Sequence, residues 1–117
     1  MKERQQPDIK KLLKPYRKQI DKLDDKILAL LGKRFHIVTK VAVIKSDNDL
    51  PSFLSDRVVE VRERNAKTGK KYGIDPDFIR MLYSLIIYQS CTIEDMRQKA
   101  ALRTRQRAYT KTRKASQ

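Results

Sequence analysis

From Leu13 onward, apolar residues recur at steps of three and four: Leu13, Tyr16, Ile20, Leu23, Ile27 and Leu30, then Arg34, Val38, Val41 and Lys45. Those steps keep one face of an α-helix aligned, so the pattern predicts one long helix carrying a seam of coiled-coil type. The helix has two possible starts, Asp8 behind Pro7 or a second start at Pro15, since proline suits a first helical turn. The run "SDNDLP" ends it, closed by Pro51. From Pro15 to Lys45 such a helix is roughly 46 Å long. A compact monomer of this length has a radius of gyration of only roughly 13 Å. Two shorter helices of the same chain cannot cover the seam. A second copy is therefore expected to, giving a homodimer.

The remainder predicts two further helices. One starts at Ser55 or Asp56, carries Val58, Val59 and Val61, is weakened in its last turns by Gly69, and ends on Gly73 as a left-handed cap. "IDPDF" opens the third, with Asp75 as N-cap and Pro76 at the first helical position. Phe78, Leu82, Leu85, Ile86, Ile93 and Met96 mark its expected buried side. The expected class is all-α: a three-helix chain with a long first helix, intertwined as a homodimer. Three glycines and four prolines in 117 residues are too few for the many turns of an all-β fold. With 39% hydrophobic and 36% charged residues, the composition suits a thin-cored helical protein of one domain.

Several function classes are disfavoured by composition. No apolar run approaches the length of about 18 residues that a membrane span requires. "MKERQQPDIKK" lacks the apolar segment of a secretory signal. Cys91 is the single cysteine, so no intrachain disulfide forms and a cytoplasmic setting is expected. One His and one Cys do not make the usual zinc ligand set, and neither a metal nor a cofactor is expected. His36 has no polar neighbours that suggest catalysis, and Cys91 reads as a small buried hydrophobe.

The net charge is +14, and its distribution is uneven. No acidic residue follows Asp95, whereas Arg97, Lys99, Arg103, Arg105, Arg107, Lys111, Arg113 and Lys114 all do. Such a tail could contact nucleic acid or an anionic surface. The simpler expectation is a solvated, partly frayed helix end whose cations complement the helix dipole.

Arg34 and Lys45 sit on the apolar seam, eleven residues and about 16 Å apart along one meridian. They could grip a small anion from both ends, or lay their stems on the seam and send their charges to water. Arg17 lies roughly 25 Å from Arg34 along the axis, too far to share one small ligand within a chain. In a dimer it could reach the partner's pocket. Arg57, Ser90 and Glu94 read, from spacing alone, as surface or helix-packing residues, with Ser90 and Glu94 on a common face.

The ordered set is more specific than its parts. "YRKQIDKLDDKILALLGKRFHIVTKVAVIK", then "LP", "DR", "YGIDPDFIRMLYSLII" and a polar residue two turns later resemble the AroQ-type, all-helical chorismate mutase family. The resemblance covers about Leu13 to Arg97. It implies a helical domain over 13–97, an N-terminal extension over 1–12 and a basic tail over 98–117. It further implies intertwined dimers with two pockets, each receiving an arginine from the other subunit. By matching position, Arg17 resembles that donated arginine, Arg34 and Arg57 the carboxylate-binding pair, and Lys45 the lysine reaching the ether oxygen. Ser90 matches a serine near the ring carboxylate, and Glu94 the Gln or Glu that hydrogen-bonds the ether oxygen.

Chorismate is a dianion that rearranges to prephenate in one pericyclic step needing no nucleophile, metal or redox cofactor. The task is to select a compact conformer and stabilise charge on the ether oxygen, for which arginine forks and a lysine are suited. Leu54 and Val58 stand where many members have acidic or polar residues contacting the C4 hydroxyl, and neither side chain can hydrogen-bond one. "DRVVEVRER" and "SCTIEDM" look most like 4-amino-4-deoxychorismate mutases. Isochorismate-pyruvate lyases of salicylate synthesis also lack a carboxylate there, but typically carry Gln at the Glu94 position. A basic nucleic-acid-binding helical protein and a catalytically degenerate member of the fold are the competing classes.

Overall fold

The computed structural model describes residues 6–115. It contains three helices, α1 (Ile9–Asp47), α2 (Ser55–Lys71) and α3 (Pro76–Ala115), and no strand among the described residues. The chain divides into two units, Met1–Arg34 and Phe35–Gln117.

In the first unit, α1 takes the earlier of its two possible starts. The Asp8 carboxylate accepts from the Lys11 amide at 3.4 Å, and the Asp8 carbonyl accepts from Leu12 at 3.1 Å. Aspartate is a good N-cap because its oxygen satisfies an amide that the helix leaves open. Pro15 consequently lies inside the helix, where it removes one ladder hydrogen bond. The seam residues Leu13, Tyr16, Ile20, Leu23, Ile27 and Leu30 are all exposed.

The second unit begins with the end of α1. There the Leu50 amide reaches back to the Lys45 carbonyl at 2.8 Å, and Asp49 to Ser46 at 3.3 Å. This pair of bonds is a Schellman closure, with Asp49 left-handed at φ 54°. Aspartate tolerates that conformation better than most non-glycine residues. The same motif closes α2: Ile74 donates to the Gly69 carbonyl at 3.0 Å and Gly73 to Lys70 at 3.1 Å, with Gly73 at φ 74°. Asp75 then caps α3 through the Asp77 amide at 3.1 Å.

α2 and α3, joined by the short turn at Gly73, pack against one another, and the closest approach is at Gly69. Gly69 is buried, and a Cβ built there would lie 2.8 Å from Cγ1 of the buried Ile79. Gly69 is therefore more than a weak spot in α2: its missing side chain lets Ile79 in. Nearer the helix ends' solvent side, Glu63 takes a forked contact from Arg80, which also reaches Asp77 at 2.7 Å.

Among the described residues the buried apolar ones are few: Ala42, Ala66, Ile79 and Ile86. On α3 the buried track is Ile79, Ile86, Ser90 and Glu94. Of the six residues expected on that side, only Ile86 is buried; Ile93 is half-buried and Phe78, Leu82, Leu85 and Met96 are exposed. Apolar periodicity follows oily side chains, so it could not register a buried track whose second half is polar. α3 runs on through the basic segment to Ala115.

Candidate active site

Ser90 and Glu94, one turn apart on α3, are 8% and 4% exposed, the two buried polar residues of the described chain. Burying a carboxylate is unfavourable unless a partner compensates it. Lys45, in the last turn of α1, supplies one: its Nζ lies 2.9 Å from Glu94 Oε2. The same ammonium donates to the Ser52 carbonyl at 2.9 Å. An ammonium has three N–H groups, so these two acceptors leave one for a ligand.

The turn between α1 and α2 is held against α3 around this pair. Ser52 Oγ donates to the Asp95 carboxylate, the Cys91 thiol lies 3.8 Å from the Ser52 carbonyl, and Gln98 donates to the Leu50 carbonyl at 2.7 Å. Burial pushes the Cys91 thiol up from its ordinary range, and the nearby Glu94 carboxylate adds to this against the opposing pull of Lys45. Cys91 is half-buried rather than fully buried. It therefore stays a neutral donor near neutral pH, not a nucleophile. Ser52 escaped the sequence reading because it acts through its backbone carbonyl, which no residue pattern reports. Asp95 was visible as an acidic residue beside Glu94, but only the turn's position gives it a partner.

Of the residues singled out from sequence, the structure brings Lys45 and Glu94 into direct contact and places Ser90 one turn along. The Ser90 hydroxyl donates to the Ile86 carbonyl at 2.9 Å. Arg57 is turned outward in this structure, pairing with Glu60 at 2.7 Å in an exposed i,i+3 contact. Leu54 occupies the N-cap position of α2 and is 37% exposed, and Val58, one turn later, is half-buried. Arg17 and Arg34 belong to the first unit, where Arg17 is exposed and Arg34 half-buried. Among the described residues no group of His, Cys, Asp and Glu could hold a metal ion, and no helix is long and apolar enough to cross a membrane.

The described residues thus form a small all-helical chain with a part-buried lysine–glutamate pair at the junction of the α1–α2 turn with α3. Comparison with known proteins makes that description specific. The chorismate mutase type II family matches over residues 16–95, and the chain belongs to it. It is 31% identical over 84 residues to a 4-amino-4-deoxychorismate mutase of Streptomyces venezuelae, covering 72% of this chain and 82% of that protein. It is 30% identical over 79 residues to a 4-amino-4-deoxychorismate mutase of Streptomyces pristinaespiralis, covering 68% of this chain and 61% of that protein. A T-protein of Enterobacter agglomerans is 32% identical over 79 residues, which cover 68% of this chain and 21% of that protein. The family resemblance and the particular likeness to 4-amino-4-deoxychorismate mutases are thus borne out, and the chain is an isomerase of chorismate mutase type.

Proposed function

We propose that this enzyme catalyses the pericyclic rearrangement of chorismate or of 4-amino-4-deoxychorismate, with the amino compound preferred, in a pocket shared between two copies of the chain. The observation that carries the reading is the Lys45 ammonium, fixed by Glu94 and the Ser52 carbonyl with one donor to spare. A fixed cation stabilises charge developing on an ether oxygen without reorganising as the bond breaks. Arg34 and Arg57 are the forks for the two carboxylates, and Ser90 serves the ring carboxylate. Arg57 must release Glu60, but an exposed pair of this kind contributes about 1 kcal/mol or less. Arg17 completes the pocket of the second copy. The exposed apolar seam of α1 supports the homodimer, because a single chain leaves it in water.

The names of the two Streptomyces relatives support the preference for the amino compound, and Leu54 and Val58 set this chain apart from members with acidic or polar residues at those positions. The test is turnover of chorismate, 4-amino-4-deoxychorismate and isochorismate by the purified protein, followed by product chromatography. Rearrangement of the amino compound with the highest kcat/KM is expected. Release of pyruvate from isochorismate alone would replace the reading with a lyase. Val58→Glu should shift the kcat/KM ratio between chorismate and the amino compound by about tenfold or more, because a carboxylate at C4 distinguishes a hydroxyl from an amine. An unchanged ratio would mean that Val58 does not touch C4.

A further inference from the structure

Beyond Asp95, α3 continues as one helix to Ala115, and its cations divide by face. At about 100° per residue, Lys99, Arg103, Arg107, Lys111 and Lys114 fall within an arc of about 120°. Gln98, Ala101 and Arg105 centre on the opposite side. That opposite side is oriented by contact: Gln98 donates to Leu50, Arg105 lies 3.9 Å from the Asp49 carboxylate, and Ala101 faces the same turn across a shallow cleft. The turn therefore points the five-cation strip outward. None of the five makes an ion pair among the described residues, and all are exposed. Gln106 and Thr110 line a groove with Arg103, Arg107, Lys111 and Lys114.

We propose that this strip docks the phosphate backbone of nucleic acid without sequence preference, a binding activity separate from the isomerase. It is about 22 Å long. A duplex presents one charge per about 1.7 Å of axis, so five cations can each meet a phosphate along that length. Arginine, lysine, glutamine and threonine are the side chains that contact phosphate oxygens. A bilayer is the poorer fit, since surface-binding helices need a broad apolar face. Between Arg97 and Ala115 the only large apolar residues are Leu102 and Tyr109.

The experiment measures fluorescence anisotropy of a labelled, mixed-sequence DNA duplex with the full chain, over about 50 to 200 mM salt. Five phosphate contacts give a log–log slope of about −4.5. The triple variant Arg103→Gln, Arg107→Gln, Lys111→Gln should reduce the slope's magnitude by about 2.7 and weaken binding at least ~10-fold. Its charge-matched control is Arg97→Gln, Arg105→Gln, Arg113→Gln, three cations of the same helix that lie outside the strip's arc, which should bind nearly as the parent does. Glutamine is a good helix former, and circular dichroism verifies that both variants keep their helix. Equal weakening by the two triples would overturn the proposal, because net charge alone would then explain binding. So would equal affinity for polyglutamate or phosphatidylserine vesicles at matched charge, or no salt-dependent binding to the duplex.

Discussion

Glu94 carries two demands that conflict. Without substrate it is the buried partner of Lys45, a role that suits the carboxylate. To donate a hydrogen bond to an ether oxygen it must hold a proton, because an ionised carboxylate only accepts. Glu94→Gln, with a permanent amide donor and no charge, should keep or raise kcat/KM. A Glu94→Gln protein without turnover would mean that Glu94 does not act as the donor. Glu94→Ala is a separate matter: it strands the Lys45 ammonium, and about 3 kcal/mol of stability should be lost in chemical denaturation.

At the scale of elements, the α2–α3 contact depends on a hole where a side chain would be. Gly69→Ala gains helix propensity of up to ~1 kcal/mol. It also drives a methyl into Ile79, at an overpacking cost of about 1 to 3 kcal/mol. Net destabilisation is expected, and in an Ile79→Ala background the same substitution should become neutral or stabilising. A double-mutant cycle in urea measures the difference. Along the same pair of helices, the Arg80 guanidinium bonded to Glu63 holds its carboxyl below the usual carboxylate range. A depressed folded-state value means that the stabilisation is fully present above the carboxylate's ordinary range and disappears as pH falls through the lowered value. Glu63→Gln should lower the urea midpoint at neutral pH and leave it unchanged once the parent's Glu63 is protonated. Equal differences at both pH values would show that the charge of Glu63 contributes nothing.

For the whole molecule, the missing core decides what must be tested. No large side chain is fully buried among the described residues, while Tyr16, Ile20, Leu23, Ile27 and Leu30 stand exposed along α1. An Arg17→Ala chain and an Arg57→Ala chain should each be inactive as homodimers, because each spoils both pockets. Mixed dimers should regain one intact pocket, and so about half the activity per dimer, if Arg17 crosses to the partner. Verified mixed dimers without activity would remove the shared pocket and leave Arg17 an ordinary surface cation.

Local chemistry made much of this protein legible from its residues. Step periodicity gives a long first helix, Gly73 and Asp75 give the α2–α3 turn, and Asp8 or Pro15 gives the start, because caps and periods act over a few residues. The choice between those two starts was made by the Asp8 cap. Resemblance to a family singled out Lys45 and Glu94, but their 2.9 Å contact joins residues 49 positions apart, a distance that no local rule spans. Tertiary structure alone showed that Glu94 and Ser90 replace oily residues on the buried track, that a backbone carbonyl at Ser52 holds the lysine, and that Gly69 is a packing site. It also decided which way the basic strip faces, since the helix period sets the strip but only the docked turn at Asp49 and Leu50 orients it.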